Sequence, residues 1–110
     1  MERELINYRQ ILLPTQSAKI TEQPENNGKI KQVEIHWPDG CNSLVQVAVY
    51  QQSIRFLPRE GYLAMNDTTR MYEFNRTVKQ TDELMVEILN GDGAWPHTIT
   101  ATILIEPLGE

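Results

Sequence analysis

The chain of 110 residues is long enough for one domain with a hydrophobic core, and its 40% hydrophobic and 23% charged residues are ordinary for a globular protein. It has 15 acidic and 10 basic residues, a net charge of −5, and the basic side chains are scattered along the sequence. Nucleic acids and anionic membrane surfaces bind concentrated positive charge, so this balance argues against both classes of partner.

Cys41 is the single cysteine of the chain, so no intramolecular disulfide can form, which favours a reducing compartment. The first ten residues are charged rather than apolar, and no apolar run is long enough for a signal peptide or a membrane-spanning helix. We therefore expect a cytoplasmic protein, or one that is carried in a larger particle.

The first 28 residues do not predict a single structure. The apolar residues between Leu5 and Leu13 fit a short helix and a β-strand equally well, and Pro14 ends either element. Residues 22–28 (EQPENNG) are polar and rich in turn formers, which predicts an exposed loop. We expect an N-terminal arm or edge element with a polar loop over residues 1–28, and a β-domain over residues 29–110.

Residues 29–110 alternate between apolar and polar side chains over short stretches, which is the period of half-buried strands. Turn signals such as residues 38–40 (PDG) and 90–93 (NGDG) separate these stretches. The pattern predicts an all-β, single-domain antiparallel β-sandwich of about seven or eight strands with an N-terminal arm, and the jelly roll is one topology that fits. The predicted core contains Val33, Ile35, Trp37, Val45, Val47, Val49, Ile54, Phe56, Tyr72, Phe74, Leu84, Val86, Ile88, Ile99, Ala101, Ile103 and Ile105.

The residues that could carry catalysis or bind a metal form no recognised pattern. His36, His97 and Cys41 lack the spacing of zinc ligands, and no sequence feature supplies Cys41 with a base. The turns contain oxygen ligands of the kind that calcium prefers, but Asn and Asp are also the usual residues of tight turns. We expect no enzymatic activity, no metal and no cofactor. We predict that Cys41 is a small buried residue at a strand start and that both histidines form hydrogen bonds at the surface or a loop edge.

Two loops, residues 37–42 and 90–97, contain the residues best suited to bind a ligand or a partner. A tryptophan at a loop edge can stack on a sugar or anchor a protein partner. Trp37 belongs to the inward set of its strand, which favours a core role, so Trp95 is the better candidate. The candidate binding residues are Trp37, Asp39, Asn90, Asp92, Trp95 and His97.

Several apolar residues fall at positions that face outward or lie near the N-terminus. We predict that they form an interface, because a monomer does not normally expose such a face to water. Either the N-terminal segment folds over this face or another subunit covers it. The predicted interface residues are Leu12, Leu13, Met85, Leu89 and Leu104.

In architecture alone, the chain is similar to the small single-domain sandwiches of virions, appendages and shells, which is an analogy at the level of the fold. We predict a non-enzymatic structural or assembly protein that forms a homo-oligomer or decorates a larger complex. The alternative is a carbohydrate- or protein-binding β-sandwich module that uses the 37–42 and 90–97 loops.

Overall fold

The computed structural model describes residues 3–107, which form nine β-strands and no helix, and therefore no helix that could span a membrane. The strands are β1 (Glu4–Leu12), β2 (Ser17–Glu22), β3 (Gly28–Trp37), β4 (Val45–Gln51), β5 (Ile54–Leu57), β6 (Leu63–Ala64), β7 (Thr68–Val78), β8 (Leu84–Asn90) and β9 (His97–Pro107).

The strands form two antiparallel sheets. Sheet A has the order β1-β9-β3-β7, and sheet B has the order β2-β8-β4-β5, with the short β6 also paired to β4. The longest-range partners are nested: β1 pairs with β9, β2 with β8, β3 with β7, and β4 with β5. The first half of the chain therefore folds back along the second half. The predicted antiparallel β-sandwich is confirmed.

The core lies between the two sheets and contains the predicted inward positions with three exceptions. Ile54 is 62% exposed, and Tyr72 and Phe74 are only partly buried. Ile54 directly follows Gln52 and Ser53, whose positive φ angles of 50° and 69° form a tight hairpin turn between β4 and β5. The prediction for Ile54 is wrong because this residue lies at the end of sheet B, where the opposite sheet no longer covers it.

Residues 3–27 contain an edge strand of each sheet and no helix. β1 pairs with β9 from Glu4 opposite Ile105 to Leu12 opposite His97, and β2 pairs with β8. Tyr8 is buried, and its hydroxyl donates a hydrogen bond to the carbonyl oxygen of Leu84 at 2.9 Å, which ties β1 to sheet B. β1 therefore belongs to the core and does not fold over an outer face.

The predicted interface residues do not form one surface. Leu104 lies in sheet A, whereas Met85 and Leu89 lie in sheet B, so the single apolar face that the sequence suggested does not exist. All three side chains are half-buried. Leu12 is fully buried, because it lies on the inward side of β1, whereas Leu13 is 58% exposed. Leu12 is therefore a core residue, and the prediction that it lies at an interface is wrong.

Candidate functional site

Connecting segments of the chain meet at one end of the sandwich, which we call the loop end. The amide of Gly91 donates to the carbonyl oxygen of Leu44 at 2.8 Å, and the amide of Thr15 donates to that of Asp92 at 3.1 Å. A Cβ atom on Gly91 would lie 2.8 Å from the Leu44 oxygen, so this approach requires glycine. The two loops that the sequence singled out are therefore neighbours. The loop end consists of residues 13–16, 38–44, 65–67 and 90–97.

Asn90 connects two segments of the loop end through its side chain. Its Nδ2 donates to the carbonyl oxygens of Leu12 (3.2 Å), Leu13 (3.1 Å) and Trp95 (3.1 Å). Its Oδ1 accepts a hydrogen bond from the amide of Asp92 at 3.0 Å. The side chain is buried, so these bonds replace water and fix the positions of the 13–16 and 90–97 segments relative to each other.

Asp92 and His97 form a buried pair that shapes the 90–97 loop. Asp92 Oδ2 lies 2.9 Å from His97 Nε2, and Asp92 Oδ1 accepts hydrogen bonds from the amides of Ala94 (2.9 Å) and Trp95 (3.3 Å). The hydrogen bond from His97, together with those from the two amides, holds the pKa of the Asp92 carboxyl below its ordinary value. The ionised carboxylate thus stabilises this loop conformation.

Trp95 projects from this fixed backbone into solvent and is 68% exposed. Leu13 is 58% exposed and Leu44 is 43% exposed, and both belong to segments that are hydrogen-bonded to the same loop. We call Leu13, Leu44 and Trp95 the apolar patch. Exposed apolar residues that stand singly need no explanation, whereas these three lie on adjoining loops.

The 38–44 segment is fixed by a second asparagine, Asn66. Its Oδ1 accepts hydrogen bonds from the amides of Gly40 and Asn42, both at 2.9 Å. Trp37, just before this segment, is fully buried and its Nε1 donates to the carbonyl oxygen of Val45 at 3.0 Å. Trp37 therefore closes the end of the core and has no surface for a ligand, whereas Asp39 is exposed.

The structure separates most of the residues that could have formed a catalytic or metal centre. His36 is exposed on the outer side of sheet A, where its Nδ1 lies 2.8 Å from Thr69 Oγ1. Cys41 is fully buried, as predicted, but it lies in the 38–44 segment rather than at the start of a strand. Burial raises the pKa of its thiol, and the negative charges of Asp92 and Asp39 raise it further. A protonated, inaccessible thiol is a poor nucleophile. Within residues 3–107, no group of three potential metal ligands lies together.

His97 is more buried than the sequence predicted, and its partner Asp92 could not be identified without the fold. The roles of Asn90 and Asn66 as hydrogen-bonding centres were likewise missed, although turn-forming asparagines were visible in the sequence. Beside Asn90, a shallow depression of about 380 Å³ on the sheet B side is lined by Gln16, Ser17, Gln46 and Leu89, among others.

The comparisons with known proteins add a likeness in fold. No protein-family model matches the sequence, and no curated protein matches it. Among solved structures, the crystal structure of FLHE is similar, with a TM-score of 0.51 over 96% of this chain and 99% of that chain. The two sequences are 9% identical, so the likeness concerns the fold alone.

Proposed function

We propose that the protein is a non-enzymatic structural or assembly protein whose loop end docks onto other protein subunits, in a homo-oligomer or as a decoration of a larger complex. The observation that carries this proposal is the exposed Trp95, which stands on a backbone fixed by the buried side chains of Asn90 and Asp92.

A rigidly presented tryptophan is well suited to anchor a protein–protein contact. Tryptophan is enriched among the few residues that carry most of the binding free energy of an interface. Binding also costs less when the loop is already ordered in the free protein. The backbone of Trp95 is held at its amide by Asp92 and at its carbonyl by Asn90, and its ring is free to contact a partner.

We infer that the nested pairing of the strands is a jelly roll. When the two-residue β6 is omitted, eight strands remain, in two four-stranded antiparallel sheets. Jelly rolls recur in viral capsid and lectin domains and in cupins. This topology is compatible with a virion-, appendage- or shell-like component, and it is equally compatible with a lectin.

The hydrogen bonding of the loops favours a protein partner over a sugar. Sugar sites combine an aromatic ring with polar groups that are free to bond hydroxyls. Here Nδ2 of Asn90 and both carboxylate oxygens of Asp92 are engaged within the protein, and Trp37 is buried. In the carbohydrate-binding alternative, Trp95 would therefore have few neighbouring polar groups that are free to bond a sugar.

A matched pair of variants tests the proposal. Trp95→Ala removes the patch residue, and Ile54→Ala removes a side chain of similar exposure, 62%, from the hairpin turn at the other end of sheet B. If the docking partner is a second copy of this chain, light scattering at micromolar concentration should give a mass above the 12.7 kDa of the monomer for wild type and Ile54→Ala, and a monomer for Trp95→Ala.

If the wild type is a monomer, site-specific photo-crosslinking in the cells that make the protein decides the case. A crosslinker at position 95 should give a discrete protein adduct that is absent when it stands at position 54. A monomer that forms no adduct from position 95 contradicts the proposal. A sugar affinity that is lost in Trp95→Ala, with unchanged thermal stability, would support the alternative instead.

A further inference from the structure

The charges around the apolar patch point to one kind of partner. We infer that the loop end binds a different protein, through a surface of that protein where apolar side chains are flanked by Lys or Arg side chains. This inference rests on the proposed docking function and names the partner chemistry for the same site.

The four segments of the loop end contain three aspartates and no lysine or arginine. Asp92 is paired with His97, whereas Asp39 and Asp67 are exposed. The amide of Asp67 donates to the carbonyl oxygen of Pro38, the residue before Asp39, so the two carboxylates belong to adjoining turns. The nearest basic residues along the connected strands, Arg9, Lys19 and Arg70, lie within strands.

The two exposed carboxylates are connected to the patch through the backbone. The amide of Leu44 donates to the carbonyl oxygen of Cys41 at 2.8 Å, and the carbonyl of Leu44 accepts from Gly91 at 2.8 Å. Leu44 thus lies between the acidic turns and the Trp95 loop. A partner that covers Leu44 and Trp95 brings its own rim towards Asp39 and Asp67, where complementary charge favours binding and like charge opposes it.

The same charges disfavour a second copy of this chain as the partner. In a symmetric dimer through the loop end, the aspartates of one copy would face those of the other. A head-to-tail contact fares no better, because the loops at the opposite end, residues 23–27 and 79–83, contain Glu25, Asp82 and Glu83 against Lys79 alone. A partner of opposite charge satisfies both the apolar and the acidic parts of the surface.

Two synthetic helical peptides with the same leucine pattern, one with lysine and one with glutamate at its polar positions, are the probes. Because Trp37 is fully buried, the change in tryptophan fluorescence on titration reports mainly on Trp95. We expect the lysine peptide to bind at least about tenfold more tightly than the glutamate peptide. We also expect Trp95→Ala to weaken binding of the lysine peptide at least about tenfold, and this variant, which lacks the fluorescent reporter, is measured by isothermal calorimetry.

Matched charge variants separate a local effect from the net charge of −5. The double variant Asp39→Asn/Asp67→Asn should weaken binding of the lysine peptide by about three- to tenfold. Asn tolerates the positive φ of 48° at position 67, so the fold is retained. The control Glu25→Gln/Glu73→Gln removes two exposed carboxylates elsewhere and should leave the affinity unchanged, as should Ile54→Ala.

The inference is wrong if neither peptide binds, if both bind equally, or if the control variants weaken binding as much as the loop-end variants do. If wild type forms a homo-oligomer that dissociates in Trp95→Ala, the proposed docking function is supported and the inference of a basic partner is wrong. If the protein neither self-associates nor forms a crosslink from position 95, the proposed function itself is wrong.

Discussion

Leu12 and Leu13 are adjacent in sequence and should respond to the same substitution in opposite ways. Leu12 is fully buried on the inward side of β1, whereas Leu13 is 58% exposed at the start of the loop end. Leu12→Ala removes buried methyl groups and leaves a cavity that the surrounding sheets cannot fully close. Leu13→Ala removes methyl groups that are already largely in water.

The expected magnitudes are well separated. Truncation of a buried leucine typically costs 2–5 kcal/mol, so we expect Leu12→Ala to lower the free energy of unfolding by about 3 kcal/mol. For a domain of this size, that loss lowers Tm by about 12 °C. Leu13→Ala should change the free energy of unfolding by less than about 0.5 kcal/mol. Urea titrations of the two variants and wild type, followed by circular dichroism, measure both values.

The assignment of the two residues is refuted if Leu13→Ala destabilises the protein as much as Leu12→Ala, or if Leu12→Ala costs less than about 1 kcal/mol. Either result would mean that β1 has a different register, because a shift by one residue exchanges the two faces of a strand. In the docking assays, only Leu13→Ala should weaken binding while the protein stays fully folded.

Three further predictions concern buried polar groups. Asn90→Ala removes the donor to three carbonyl oxygens and should lower the free energy of unfolding by about 3 kcal/mol, measured in urea; a loss below about 1 kcal/mol would contradict its connecting role. Tyr8→Phe leaves the Leu84 carbonyl without this buried donor and should cost about 1–2 kcal/mol by calorimetry. The folded-state pKa of Asp92 is below the ordinary 3.8, so its contribution to stability is present above pH 3.8 and is lost as pH falls through the folded value. The difference in urea midpoint between wild type and Asp92→Asn should therefore shrink in acid, and a constant difference would count against the ionised pair.

The sequence predicts strands well where alternation is regular and turns are marked. In β9, every second residue from Ile99 to Ile105 is buried, as the alternation requires. The sequence was ambiguous for β1, because its apolar residues fit two periods, and only the pairing with β9 selects the strand. The assignment of apolar residues to outer faces failed for a related reason: alternation tells which residues share a side of a strand, but not which sheet that strand joins.

The candidate site could be predicted only in part. Trp95 was identified because a tryptophan in a loop before a proline has no strand face to occupy. The Asp92–His97 pair and the bonds of Asn90 were not identified, because they join segments whose proximity depends on the order of strands in the sheets. Local sequence indicates turn formers, and the three-dimensional fold decides which of their polar atoms remain available for a partner.

The pairing of Glu4 with Ile105 determines how the loop end is oriented when the chain is attached to something else through a terminus. Residues near both chain termini lie side by side at one pole, because β1 and β9 run antiparallel and meet the loop end at Leu12 and His97. Eleven residues of a strand span about 35 Å, so this pole and the loop end are separated by about the length of β9. Any tether, tag or neighbouring domain attached through either terminus would hold the protein by its base and present the Trp95 ring at the distal tip.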